Sequence, residues 1–449
     1  MTERGKLTQG KIVGHLVGQT APMVVGVAAI MSIGLVDSYF IGQLGSDELA
    51  AISFIFPVSV ALASLGVGVM VGINSVVARA IGAGDRARAA QRASFGVVFA
   101  VAIGLAMGLA LFFAIEPLFR LMNADEAMMP IIETYMRPFA LAFPLQLAIM
   151  GVNGVLRGQG EARKTSAVSI CYAAVNWVLD PLLITGVGGI GGFGIAGAAY
   201  ATMAGWAVGL AYAAWLLAKT ALPFDLSLLR GGNLLDPARA IMRVAGPAAF
   251  SNAVNPIGLS VLTALVAMDG AAAVAGFGAA GRVQSFAVVP LLALSGSIGS
   301  IVGQNWGAGQ YDRARSAARG AGLFCVGYGL AMAVVLVLAR EWLAALFTDD
   351  PAVIDEFALY LMIAAWGYAG FGLLIVGNGV LNAIDKASWA LGQSVLRVVA
   401  VMLPVAWFLR GAMGSSAIYT AELAANIAGG LLAAAIVWRV LARGSKDAK

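Results

Sequence analysis

Apolar stretches of about twenty residues or more, nearly free of charge, alternate along the chain with short polar connections. Uncharged runs cover residues 12–36, 49–78, 93–115, 138–156, 244–268, 320–339 and 357–384. A helix needs about 20 mainly apolar residues to cross a hydrocarbon core of about 30 Å, so each run predicts one membrane span. Residues 165–218 are too many for one span, and their centre, Gly186 to Gly194, is a glycine-rich turn, which predicts two helices there. Residues 270–303, 387–409 and 413–438 add three more spans, each with one ionisable residue inside. The pattern predicts an all-α integral membrane protein of twelve transmembrane helices, numbered 1 to 12 in chain order.

The pattern also repeats. Ser75-Val-Val-Ala-Arg-Ala-Ile-Gly-Ala-Gly84 aligns with Ser300-Ile-Val-Gly-Gln-Asn-Trp-Gly-Ala-Gly309, Asn153-Gly-Val-Leu156 with Asn378-Gly-Val-Leu381, and Ala21-Pro22 with Gly246-Pro247, always 225 residues apart. The expected architecture is therefore two six-helix lobes that enter the membrane in the same direction, related by a pseudo-two-fold axis along the membrane normal. Secondary transporters use this layout, with the substrate path between the halves. The expected division is an amino-terminal lobe over residues 1–218, an inter-lobe linker over 219–243 with Pro223, Gly231-Gly232 and Pro237, and a carboxyl-terminal lobe over 244–449.

Composition narrows the class. Only 11% of the residues are charged, 60% are hydrophobic and the mean hydropathy is +0.88, which excludes an ordinary soluble enzyme and a disordered chain. One His (His15) and two distant Cys (Cys171 and Cys325) supply neither a zinc site nor an iron–sulfur cluster. The first apolar stretch is too long for the h-region of a signal peptide and is expected to stay in the membrane. The net charge of +5 is unevenly placed. On one side of the membrane fall 22 Lys and Arg, from Arg4, Lys6 and Lys11 through Arg79, Arg86, Arg157, Lys219, Arg243 and Arg313 to Lys446 and Lys449, against Arg120, Arg137, Arg340 and Arg410 on the other. By the positive-inside rule both termini are expected in the cytoplasm, in a multi-pass protein of the cell (inner) membrane, and the basic excess points to the bilayer and not to nucleic acid.

Ionisable groups at membrane depth cost a few kcal/mol each and mark function by default. Five are present: Asp37, Asp180, Arg282, Arg397 and Glu422. With a rise of 1.5 Å per residue, Asp37 on helix 1 and Asp180 on helix 5 lie at matching depth, roughly 8–9 Å inside the outer boundary. Asn176 precedes Asp180 by four residues and shares its helix face. With Thr202 of helix 6, these groups form a candidate coupling site: their hard oxygens suit Na⁺, and the carboxyl pair can instead hold a proton. The repeat argues against a mere scaffold role, because Asp37 aligns with Leu262 and Asp180-Pro181, with a small shift, with Leu403-Pro404. Arg397 and Glu422, at mid-depth on consecutive helices 11 and 12, are expected to form a structural ion pair. Asn378, the repeat mate of Asn153, and Gln284 beside Arg282 are candidate substrate contacts. No phosphate loop follows from Gly82-Ala-Gly-Asp-Arg86, which has no preceding strand, and no set of catalytic residues for a membrane enzyme is present.

Val36-Asp-Ser-Tyr-Phe-Ile-Gly-Gln-Leu-Gly45, Arg79-Ala-Ile-Gly-Ala-Gly84, Asn176-Trp-Val-Leu-Asp-Pro181, Gly197-Ala-Ala-Tyr-Ala-Thr202 and Gly303-Gln-Asn-Trp-Gly-Ala308 together make the chain resemble, over essentially its whole length, the multidrug and toxic compound extrusion (MATE) family. The resemblance implies a V-shaped, outward-open cavity between two lobes and drug efflux driven by inward H⁺ or Na⁺ flow. It places the amino-lobe cation site on Asp37, Asn176, Asp180 and Thr202, a drug-contacting position on Asn153 and a bend of helix 1 at Pro22. No acid stands near Phe250-Ser-Asn252 in helix 7, which is similar to the DinF-like branch. The expected function is thus an antiporter that exchanges organic, often cationic, drugs for H⁺ or Na⁺, working as a monomer with no cofactor and no metal beyond a coupling Na⁺. The alternative is a flippase for lipid-linked precursors, from the same superfamily.

Overall fold

The structure is a computed structural model that describes residues 5–187, 190–230 and 233–444. Arg4, Lys446 and Lys449 of the basic set, Gly231-Gly232 of the linker and Gly188-Gly189 of the turn between helices 5 and 6 lie outside the described residues. Among the described residues, twelve spans are present if one bent pair of helices is counted as a single span. Eleven are long apolar helices: Ile12–Gly42, Ser46–Gly82, Arg86–Leu121, Met129–Gly158, Ala162–Thr185 and Ile195–Ala218 are helices 1 to 6, Leu235–Asp269 is helix 7, and Tyr311–Ala345, Pro351–Ala383, Ala387–Met413 and Ser415–Ala442 are helices 9 to 12. Helix 8 is a broken span, Ala271–Ala287 followed by Val289–Gly307, bent by 43°. Pro290 has no N–H to give, and Leu291 N bonds back to Val288 O at 3.0 Å, so the Ala287 carbonyl loses its helical partner. The Tyr328 hydroxyl of helix 9 replaces it, donating to Ala287 O at 2.8 Å.

Helix 7 starts at Leu235 and not at 244, so the last part of the stretch expected as linker is helix. A polar helical turn outside the hydrocarbon is invisible to a count of uncharged residues. What precedes it is tied to the amino lobe: Leu222 N donates to Gln159 Oε1 at 3.2 Å and Asp225 N to Ser94 Oγ at 3.0 Å.

The duplication is written into the backbone. Helix 2 ends at Gly82 and helix 8 at Gly307, and helices 5 and 11 start at Ala162 and Ala387, all 225 apart. The turns that need a left-handed residue match as well: Gly84 (φ 75°) with Gly309 (φ 71°), and Gly160 (φ 73°) with Asp385 (φ 64°). Before helices 6 and 12 the offset becomes 220, where Gly194 (φ 59°, ψ −139°) and Gly414 (φ 56°, ψ −136°) have nearly the same conformation.

Helices 1–6 and 7–12 each surround a large core of their own; that of the first lobe reaches Ile241 and Ala245 of helix 7, and Leu16 of helix 1 is buried in a cluster of the second lobe. Among the described residues, the hydrogen bonds and ion pairs that cross between the lobes gather at the end carrying both termini, the basic end. Ser75 Oγ donates to Asn382 O at 2.6 Å, Gln304 Nε2 to Gly158 O at 2.8 Å, and Arg79 lies 3.8 Å from Asp385. Helices 2 and 8 cross there in pseudo-symmetric fashion: a Cβ on Gly82 would overlap Gln304 O, and a Cβ on Gly307 would overlap Arg79 O, glycine and partner alike being 225 apart. The segment before helix 1 straddles the seam. Lys6 pairs with Glu161 at 2.7 Å in one lobe, while Leu7 is buried in the core of the other and accepts from Asn305 Nδ2 at 3.1 Å.

Candidate functional site

In the amino lobe, helices 1 and 5 pack closely enough that a Cβ on Gly26 would stand 3.0 Å from Ser166 Cα. Trp177 Nε1 donates to Ser32 Oγ at 3.1 Å across the same seam. This brings Asp37 and Asp180 face to face. Asp180 is 0% exposed, and Asp37 Oδ1 and both carboxyl oxygens of Asp180 are buried without a hydrogen-bond partner. Two ionised carboxylates side by side repel each other and offer no donor, and a shared proton or a bound cation relieves both defects at once. Tyr135, buried on helix 4, is within electrostatic reach of both acids; its place in the site was not apparent in the sequence.

The neutral members stand one turn along. Asn176 Nδ2 donates to Tyr172 O at 3.0 Å, and Thr202 Oγ1 of helix 6 donates to Asn176 Oδ1 at 3.4 Å. Gly205 makes this approach possible, because a Cβ there would overlap Asn176 Nδ2. Directly after Asp180 the helix widens into a π turn, Pro181–Thr185. The freed carbonyls of Leu183 and Ile184 accept from Phe193 N at 2.7 Å and Gly194 N at 3.1 Å. Asn153 is buried in the same lobe with its Oδ1 unpartnered. Pro22 lies inside helix 1, which is one continuous helix from Ile12 to Gly42.

The carboxyl lobe differs. Gln284 does not stand free to meet a substrate: its Nε2 donates to Glu422 Oε1 at 2.7 Å, and Tyr360 Oη lies 2.8 Å from Gln284 Oε1 and 3.0 Å from Glu422 Oε2. The direct ion pair expected between Arg397 and Glu422 is not among the ion pairs of the described residues. Arg397, 4% exposed, donates instead to Asn255 Oδ1 at 2.8 Å and Asn426 Oδ1 at 2.6 Å, below the Phe371 ring at 5.5 Å. Arg397 sits in the π turn Leu396–Met402 and spans from Asn255 of helix 7 to Asn426 of helix 12. Asn378 is bound up with Ser251, Ser394 and Gln393, and Arg282 is exposed.

The MatE family model matches residues 22–182 and 247–408, one segment in each lobe. The chain belongs to the MATE family. A protein of Shewanella oneidensis named "FAD transporter" is 32% identical over 410 residues, covering 90% of each chain. "Probable multidrug resistance protein YpnP" of Bacillus subtilis is 29% identical over 406 residues, covering 90% of this chain and 88% of the relative. Among solved structures, a mutant of the Vibrio cholerae MATE transporter VcmN superposes with a TM-score of 0.91 at 30% identity, over 96% of this chain and 97% of that one. As a MATE protein the chain is a membrane transporter and not an enzyme.

Within this MATE fold the two polar sites share two repeat-related positions. The offset of 225 sets Tyr360 on Tyr135, and the offset of 220 sets Glu422 on Thr202. Asn426 follows Glu422 by four residues, the spacing that joins Asn176 to Asp180, and that spacing was the signal for its role.

Proposed function

We propose that this MATE protein is a secondary active antiporter that exports small organic compounds in exchange for an inward flow of H⁺ or Na⁺. The observation that carries the reading is the Asp37–Asp180 pair, whose buried oxygens lack partners. Protonation supplies the missing donor, and Na⁺ would find those oxygens together with the Asn176 and Thr202 side chains. Substrate in the inter-lobe space and cation in the amino lobe then compete, and their affinities are reciprocally coupled. The lobes joined at the basic end suit an outward-facing state. With that end in the cytoplasm, the side that the positive-inside rule favours, the lobes rock against each other about the connection before helix 7.

Relatives named multidrug resistance proteins support organic drugs as substrates. A second reading, a flavin dinucleotide, draws on the relative named FAD transporter and on two arginines: Arg397, and Arg157 at the seam with helix 8, where a Cβ on Gly296 would meet its Nη1 at 2.9 Å. Neither has an ion-pair partner among the described residues, so each offers positive charge to a phosphate. The test is efflux from proteoliposomes under an imposed pH or Na⁺ gradient, with ethidium and FAD as probes. Gradient-driven ethidium export lost in Asp37→Asn is expected. Gradient-driven FAD transport in its place selects the second reading, and transport of either probe indifferent to both gradients refutes antiport.

A further inference from the structure

Gln284, Tyr360 and Glu422 form a closed ring of three contacts, at 2.7, 2.8 and 3.0 Å. Three contacts need three protons. Gln284 contributes one amide N–H to the ring and Tyr360 its single O–H. With Glu422 ionised there is no third donor: the Tyr360 hydroxyl serves either Gln284 Oε1 or Glu422 Oε2, and the other contact sets lone pair against lone pair. Exchanging the amide N and O of Gln284 does not repair the count, because the amide oxygen then faces Glu422 Oε1 and again needs a proton from it. A carboxylic acid completes the ring in both orientations. Glu422 is 2% exposed, which leaves water little access to it.

The repeat supplies an independent observation. The ring is built on Tyr360 and Glu422, the mates of Tyr135 and Thr202, which flank the Asp37–Asp180 pair in the amino lobe, while the mates of the two acids themselves are Leu262 and Leu403.

We propose that Glu422 is a second proton-binding site of the transporter, which holds its proton in the Gln284–Tyr360 ring and gives it up during the cycle. The groups around it are Gln284 from helix 8, Tyr360 and Tyr368 from helix 10, Arg397 from helix 11, and on helix 12 itself Tyr419, whose hydroxyl donates to Glu356. Arg397 is the positive charge within electrostatic reach, linked to Asn426 one turn along from Glu422. On release the O–H bond of the acid breaks, the proton passes to water, and Tyr360 turns its hydroxyl from Gln284 to the new carboxylate. Arg397 then faces that charge. The site goes beyond coupling at Asp37 and Asp180 and does not depend on it.

Infrared spectroscopy of the detergent-purified full chain tests the proposal. At neutral pH a carbonyl band of a protonated carboxylic acid is expected, retained in the Asp37→Asn/Asp180→Asn double variant and lost in Glu422→Gln. Glutamine at 422 replaces the acid donor for donor, so this variant should melt as the wild type does. Should it fail to fold, Tyr360→Phe opens the ring and shifts the band. In proteoliposomes Glu422→Gln should lower efflux driven by a pH gradient by about tenfold, within the usual range of coupling between sites. An infrared spectrum unchanged by Glu422→Gln, or by Tyr360→Phe, overturns the proton at Glu422. Loss of the band with wild-type efflux makes the proton a permanent structural one and overturns the exchange. Failure of the amino-lobe reading would appear in Asp37→Asn alone and leave the band untouched.

Discussion

The two lobes share a scaffold and differ in where they keep their acids. Both set a tyrosine at the same repeat position, Tyr135 and Tyr360, and a polar side chain at another, Thr202 and Glu422. In the amino lobe the carboxylates come from helices 1 and 5, and three of their buried oxygens have no partner. In the carboxyl lobe the acid is on helix 12, and both its oxygens are engaged. Duplication thus determined where polar groups can be buried, and divergence determined which lobe leaves oxygens free for an ion and which closes them into a ring. Bent helix 8 belongs to this asymmetry, since its counterpart, helix 2, is continuous.

The largest expected effect tests the carboxyl lobe. Arg397→Glu puts a negative charge among Asn255, Asn426 and Glu422, and disrupting a buried charged group of this kind costs about 3–5 kcal/mol. Because Arg397 and Glu422 do not touch, adding Glu422→Arg should not restore stability, and recovery of the melting temperature in the double swap would revive the direct pair. Next come Asp37→Asn and Asp180→Asn, each expected to fold and to lose gradient-driven efflux roughly a hundredfold, toward the upper range of coupling between two sites. Under the proposed antiport, drug affinity should also weaken as pH falls, because a proton in the amino lobe then disfavours substrate in the inter-lobe space, and Asp37→Asn should flatten that dependence in calorimetric titration. An equally steep dependence in both Asp variants would move the coupling to Glu422.

Much of this comparison was legible in the chain. The spans, the repeat of 225 and the matching depth of Asp37 and Asp180 follow from hydropathy and spacing, because helical rise is uniform. What spacing does not reveal is azimuth beyond an irregular turn. Spacing sets Arg397 and Glu422 at like depth, but it does not reveal the π turn Leu396–Met402 that carries Arg397, whose guanidinium reaches Asn255 and Asn426 and not Glu422. Helix ends were also misplaced where polar turns extend a span, as at Leu235.

A smaller effect is expected at Gly205. Its mate at the offset of 220 is Ala425, so the carboxyl lobe tolerates the methyl group that the amino lobe excludes. Gly205→Ala should displace Asn176, cost about 1–3 kcal/mol as overpacking does, and weaken ion dependence more than folding. If ion dependence is unaffected, Asn176 has no part in the coupling site.

The smallest change in stability is expected where the repeat departs from glycine. Gly160 and Asp385 both adopt left-handed backbone, but Asp385 carries a side chain that lies 3.8 Å from Arg79 and 3.3 Å from Arg243. Asp385→Gly relieves about 1 kcal/mol of left-handed strain and removes two partly exposed ion pairs worth about 0–1 kcal/mol each. The terms nearly cancel, so the melting temperature should hardly move. The conformational equilibrium should move, because the Arg79 pair joins helix 2 of one lobe to the turn after helix 10 of the other and breaks when the basic end opens. Relief of strain acts equally on open and closed states, whereas loss of the pair acts on the closed state alone. A cysteine introduced at Ser75, where the hydroxyl donates to Asn382 O in the closed seam, should therefore react faster with a water-soluble maleimide in the Asp385→Gly background. Equal reactivity in both backgrounds would mean that the seam is held by the glycine crossings of helices 2 and 8, and that this departure from the repeat has no part in the gate.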